Sequence, residues 1–118
     1  ETTMAVEKSL ISGSTAMLVM KLLEEKDMYG YEMIETLREK SENVFELKAG
    51  TLYPLLHTLE EKGLVTAYER EAAAGKPRRY YHLTKEGRAA LREKEAAWHT
   101  YADAVGRVLR GGACCAGA

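Results

Sequence analysis

Three features of the sequence predict a mainly α-helical fold with a two-stranded β wing. Leu52, Leu55, Leu56 and Leu59 recur at helical spacing, and that run stops at Gly63. Two strand-like stretches follow, Leu64 to Arg70 and Arg78 to Leu83, separated by the small and basic segment Ala72-Ala73-Ala74-Gly75-Lys76-Pro77. A continuous helical pattern then runs from Lys85 to about Arg110. Helix, glycine stop, strand, turn and strand in that order make a winged helix-turn-helix, here continued by a long C-terminal dimerisation helix. The expected organisation is an N-terminal arm over residues 1–9 and a winged-helix DNA-binding domain over 10–84. The dimerisation helix follows over 85–110, and a flexible Gly/Ala-rich tail over 111–118.

Each element has a local reason. Ser12-Gly13-Ser14 offers an N-cap for a first helix reaching about Glu25. Its apolar residues, Ala16 to Met20 with Leu22 and Leu23, cover nearly the whole circumference, which predicts burial on most sides. Asp27 to Gly30 reads as a break. A second helix from about Tyr31 to Lys40 carries one apolar stripe, Met33, Ile34 and Leu37, opposite Glu32, Glu35, Arg38 and Glu39. Val44, Phe45 and Leu47 anchor the stretch that leads to the third helix. In that helix Pro54 belongs near the start, because it has no N–H to give. Alternation in the second wing strand places Tyr80 and His82 on one face and Tyr81 and Leu83 on the other. Thr84 is placed to cap the last helix, which at about 26 residues measures roughly 39 Å. Leu91, Trp98 and Val105 recur there every seven residues, flanked by Tyr101, Ala102, Val108 and Leu109. An apolar seam of that period needs a partner helix, and a second copy of the chain is the simplest one.

Composition narrows the class. The 118 residues are 46% hydrophobic and 30% charged, the balance of one globular domain. No apolar run approaches the roughly 18 residues of a membrane span, and Glu1 to Ser9 is polar and charged, unlike a secretory leader. Cys114 and Cys115 are the sole thiols and are adjacent, so no disulfide framework is expected and a reducing cytoplasm fits. The formal net charge of −1 weighs against indiscriminate nucleic-acid binding. Its distribution points the other way. From Gly75 to Lys94 seven basic residues (Lys76, Arg78, Arg79, Lys85, Arg88, Arg92 and Lys94) face two acidic ones, Glu86 and Glu93. A local basic patch is enough to engage phosphates.

The third helix has the character of an element that enters a major groove. Its leucine side holds it rigidly, while the other side is small or polar. Gly50 lets backbone approach the DNA, and Thr51, His57 and Thr58 present donors to phosphates or base edges. Lys48 stands where the helix begins and adds its charge to the positive end of the helix dipole. Lys76, Arg78 and Arg79 lie on the wing. No nucleophile–base pair, phosphate-cradling glycine loop or metal motif accompanies them, so no enzymatic activity, cofactor or metal is expected.

The segments Tyr29-Gly30-Tyr31-Glu32, Gly50-Thr51-Leu52-Tyr53-Pro54-Leu55-Leu56, Glu61-Lys62-Gly63-Leu64-Val65, Gly75-Lys76-Pro77-Arg78-Arg79-Tyr80-Tyr81 and Leu83-Thr84-Lys85-Glu86-Gly87 occur in this order. Together they resemble the PadR family of transcriptional regulators, over a span from about Leu18 to Gly87. The resemblance implies a homodimeric winged-helix repressor that leaves a palindromic double-stranded DNA operator when a small, often aromatic, molecule binds. It implies that the motif beginning at Tyr29 opens the second helix, and that the helix bearing Thr51 and Tyr53 reads DNA. The single final helix resembles the short branch of the family. Trp98, with Ala97 and Tyr101 beside it, is the candidate surface for a flat aromatic effector, since tryptophan offers a broad rigid face. Two other readings of the residues stay open. One is a winged helix that binds protein rather than DNA, favoured by the acidic remainder of the chain. The other is a repressor responsive to metal or thiol chemistry through Cys114 and Cys115.

Overall fold

The computed structural model describes residues 14–72 and 75–111. The expected arm over 1–9, the tail beyond Gly111 with Cys114 and Cys115, and the wing-tip residues Ala73 and Ala74 lie outside them. The elements in order are α1 (Thr15–Glu25), β1 (Met28–Tyr29), α2 (Gly30–Lys40), α3 (Ala49–Glu61), β2 (Val65–Glu71), β3 (Pro77–Leu83) and α4 (Lys85–Arg110). The described chain spans 60 × 35 × 21 Å, elongated by α4.

The core is one cluster. Val19, Met20, Leu22 and Leu23 of α1 meet Met33 and Leu37 of α2, and Leu52, Leu56 and Leu59 of α3. Val65, Tyr81 and Leu83 of the sheet close it from the side, and Leu91 of α4 closes it from beyond the wing. Leu91 is fully buried in the chain's own interior, so the expected seam loses its first member and its exposed part begins at Trp98. The reason is that α4 packs on α1 before its outer half, with Lys21 of α1 reaching Glu95 at 3.2 Å, which spends the apolar side at Leu91 internally.

Two local features differ from the sequence reading. The wing is part of a three-stranded antiparallel sheet of order β1-β3-β2, because Met28 and Tyr29 pair with Tyr81 and Tyr80. A two-residue strand leaves no periodic trace, so this segment reads as a break. Val44 is exposed rather than an anchor. Glu42 and Asn43 both take positive φ (55° and 70°), and the Phe45 N–H returns to the Ser41 hydroxyl at 3.0 Å. That tight reversal points Val44 outward and leaves Phe45 and Leu47 to pack.

The glycine stop after α3 is a Schellman ending. Gly63 has φ 77°, its N–H reaches the Glu60 carbonyl at 3.0 Å, and the Leu64 N–H reaches the Leu59 carbonyl at 2.9 Å. The next junction is tied by Thr84. Its hydroxyl donates to the carbonyls of Gly63 (2.8 Å) and Leu64 (3.0 Å) and accepts the Gly87 N–H (2.9 Å). Gly87 is buried beneath this fork, and a β-carbon there would meet the Leu64 carbonyl and the Leu83 side chain. Backbone cannot yield as a side-chain end can, so Gly87→Ala is expected to lower stability by about 1–3 kcal/mol. Chemical denaturation checks this, and a variant as stable as the parent would refute the account of Gly87.

Candidate nucleic-acid interface

The side of α3 opposite its leucines is open. Gly50, Thr51, Tyr53, Pro54, His57 and Thr58 are exposed, as is Lys48 at the N-cap. Space around Gly50 is empty to 4 Å from where a β-carbon would sit, so its backbone is free to be approached. Thr58 donates to the Pro54 carbonyl at 3.1 Å, and His57 Nε2 lies 3.2 Å from Glu61. Tyr53 is half exposed, and its hydroxyl end rests on Gly30 at the start of α2, where a β-carbon would displace the ring. This contact joins the outer side of α3 to the segment that the sequence singled out at Tyr29.

The sheet has two chemically distinct faces. Residues 65, 67, 69 and 71 of β2 and 77, 79, 81 and 83 of β3 share the inward face by register. Val65, Tyr81 and Leu83 lie over the core there. Arg79 lies on this same face, where its guanidinium meets the Glu60 carboxylate at 3.3 Å and the Tyr81 hydroxyl at 3.2 Å. Thus of the wing cations singled out by sequence, Arg79 already has an acidic partner within the chain. Lys76 and Arg78 are exposed and form no ion pair among the described residues.

The outward face carries an aromatic ladder. Tyr80 stacks on Tyr68 with ring centres 5.9 Å apart and meets Tyr29 edge-on at 5.4 Å. Arg78 lies over the Tyr29 ring (4.3 Å) and Arg70 over the Tyr80 ring (4.5 Å). At the base of the ladder Asp27 accepts the Tyr68 hydroxyl at 2.6 Å through one oxygen and meets His82 Nδ1 at 2.9 Å through the other. Burial pushes the Asp27 carboxyl up, but the bonds from Tyr68 and His82 outweigh it and hold it below the ordinary carboxylate value. The same bond holds the Tyr68 phenol above its ordinary value. This clamp fixes the short β1 to the wing. Sequence reading missed Asp27 and Arg70. Asp27 sits in the apparent break, and Arg70 is hidden between Glu69 and Glu71.

The effector candidates separate. Trp98 borders an apolar groove of about 330 Å³ with Met17, Leu18 and Phe45, and the Lys21–Glu95 ion pair (3.2 Å) stands at its rim. Tyr101 instead lines a shallow depression with Val105, Val108 and Leu109, and Ala97 is exposed outside both. The near-continuous apolar surface of α1 is explained by the groove, because Met17 and Leu18, packed against the edge of the core, also line it. Trp98, Tyr101, Val105, Val108 and Leu109 are exposed along the outer half of α4, and Ala102 is partly covered. Among the described residues no group of three His, Cys, Asp or Glu is placed to hold a metal ion, and no helix is long and apolar enough to cross a membrane.

Comparison with known proteins gives a consistent answer. The model of the transcriptional regulator PadR-like family matches residues 19–93. A solved PadR family transcriptional regulator from Eggerthella lenta is 39% identical, with a TM-score of 0.77 over 87% of this chain and 88% of its own. A solved transcriptional regulator from Clostridium thermocellum has a TM-score of 0.78 at 29% identity, covering 84% of this chain and 96% of its own. The transcriptional regulator Rv3488 of Mycobacterium tuberculosis is 43% identical over 60 residues, which is 51% of this chain and 55% of its own length.

The Asp27 clamp has a direct test. Tyr68→Phe removes one of the two bonds that oppose burial, so the Asp27 pKa is expected to rise toward the ordinary carboxylate value. Carboxyl NMR titration reads this, and an unmoved Asp27 resonance would show that the Tyr68 bond does not stabilise the charged form.

Proposed function

The chain belongs to the PadR-like family of transcriptional regulators, and on that premise we propose that it is a homodimeric repressor acting in the cytoplasm. It binds a palindromic DNA operator through α3 and the wing, and leaves it when a small aromatic molecule binds beside Trp98. The observation that carries the DNA reading is the open side of α3. Gly50, Thr51, Tyr53, His57 and Thr58 are uncovered there, with Lys48 at one end. A module that docked on protein would present apolar side chains at this position. Apart from the half-exposed Tyr53, only Pro54 breaks the small and polar surface. Lys76 and Arg78 on the wing supply positive charge for the backbone beside the groove. Arg79 is the less available of the wing cations, since it is paired with Glu60 at 3.3 Å.

The dimer reading rests on the outer half of α4. Val108 and Leu109 are 78% and 80% exposed, and with Tyr101 and Val105 they form a stripe that nothing among the described residues of one protomer covers. Burying each such aliphatic side chain contributes about 1.5–3 kcal/mol, so an uncovered stripe of this kind favours association with a second copy. The groove beside Trp98 supports the effector reading, being apolar, concave and open to one side.

Two measurements test these claims. Binding of Lys76→Ala/Arg78→Ala to duplex DNA is expected to be weaker and less salt-dependent. The slope of log affinity against log salt should flatten by about 0.9 for each phosphate no longer neutralised, summed over both protomers. A slope equal to that of the parent would remove the wing from the interface. Val108→Asp is expected to convert the dimer to a monomer in sedimentation experiments with its helical content intact. A persistent dimer would place the seam elsewhere.

A further inference from the structure

Resting on the DNA-binding reading above, we infer that Arg70 joins Arg78 in a two-arginine cradle for DNA backbone phosphates on the outward face of the wing. The two residues are register partners, directly opposite each other on β2 and β3. Like charges in that relation repel and weaken a sheet. Here each guanidinium is seated on a separate tyrosine ring, Arg70 on Tyr80 at 4.5 Å and Arg78 on Tyr29 at 4.3 Å. The rings hold both guanidinia in place without neutralising either charge. Neither arginine takes part in an ion pair among the described residues, whereas Arg38, Arg79, Lys21, Lys26 and Lys40 all do. Two guanidinia from paired positions, each over a ring and neither in an ion pair, offer donors to phosphate oxygens, and an anion between them relieves their repulsion.

Alternation explains how an acidic stretch yields this site. Glu69 and Glu71 share the inward face with Arg79 and Pro77, while Arg70 alone of the three turns outward. The cradle is also continuous with the open side of α3. Tyr53 rests on Gly30, Gly30 follows Tyr29, and Tyr29 carries Arg78. A duplex lying along α3 therefore passes from Tyr53 to the arginine pair, and the two carboxylates beside Arg70 are already engaged, Asp27 by Tyr68 and His82 and Glu32 by Lys26 at 2.8 Å. That continuity selects a nucleic-acid backbone as the occupant.

Phosphate contacts do not depend on base sequence, so a duplex of arbitrary sequence is the probe. Its affinity is measured against salt for the full chain and for the Arg70→Ala, Arg70→Lys, Arg78→Ala and Lys40→Ala variants. Arg70→Ala and Arg78→Ala are each expected to flatten the slope by about 0.9 per protomer engaged. The affinity deficit of each variant then shrinks about 3.5-fold between roughly 50 and 200 mM salt for one engaged protomer, and about twelvefold when both protomers are engaged. Arg70→Lys keeps the charge and retains the slope. Lys40→Ala removes a charge at the opposite end of α2, about 16 Å along that helix, and leaves the slope unchanged. If Arg78→Ala flattens the slope while Arg70→Ala matches the parent, the cradle is wrong and the DNA reading stands. If the parent itself shows no salt-dependent duplex binding, the DNA reading falls, and the cradle with it.

Discussion

The arrangement of this protein depends on one side chain at a four-way junction. The Thr84 hydroxyl bridges the carbonyls that end the α3 turn and begin β2, while accepting the N–H of the first turn of α4. The Thr84 N–H returns to Leu64 at 3.0 Å, closing the same knot from the backbone. The last residues of the candidate reading helix, both wing strands and the root of the long arm therefore share one set of hydrogen bonds. Gly87 permits this by leaving no side chain between the arm and the Leu64 carbonyl. Without that close approach α4 would stand off the sheet, and Leu91 would not reach the core it completes. The relative placement of reader, wing and arm is thus a property of the junction, not of three separately packed pieces.

A second constraint is the period of the β-strand. A nearly neutral chain acquires a basic working surface by sorting charge across a sheet one residue at a time. Glu69, Glu71 and Arg79 go inward, where Arg79 also meets Glu60 at the end of α3. Arg70 and Arg78 go outward onto tyrosines. Asp27 is the acidic exception on the outward side, and both of its oxygens are occupied by Tyr68 and His82. Net charge is accordingly a poor guide to what one face of this molecule attracts, because local potential is set by the nearest few side chains.

What the sequence revealed and what it concealed follow from the range of each signal. The leucine stripe of α3, the Gly63 stop, the alternation of Tyr80, Tyr81, His82 and Leu83, and the Thr84 cap are written within a few residues, and all are legible. β1 is not, because two residues carry no period and Met28-Tyr29 joins a strand more than fifty residues away. The acidic partner of Arg79 was hidden for the same reason, since Glu60 reaches it only through the fold. Leu91 looked like a seam residue because its spacing from Trp98 and Val105 is that of a seam. Spacing fixes which residues share a helix face but leaves open which neighbour covers that face, and α1 covers this one. Arg70 was obscured by composition, because counting charge along the chain averages over the two faces that the sheet separates.

The groove at Trp98 and the open side of α3 are mechanically one body. From Thr84 to Trp98 is fourteen residues of continuous helix, about 21 Å, with no glycine or proline beyond the buried Gly87 to bend it. In the proposed dimer the angle between two such arms sets the distance between two reading helices, and a duplex accepts them only about one turn apart, roughly 34–36 Å. An arm this stiff converts a change of angle at the seam into a displacement at the reader. On the proposed effector reading, an aromatic molecule beside Trp98 would alter operator affinity to the extent that it prefers one inter-arm angle over another. A ligand that fills the groove equally well at every angle binds without effect on DNA, however tightly it is held. By reciprocity, the operator alters the ligand's affinity by the same factor. The groove walls come from α1, the Phe45 segment and α4 of one chain, and these share a core. The angle-dependent part of the ligand's binding must therefore come from the second protomer across the seam, not from the walls of the groove itself.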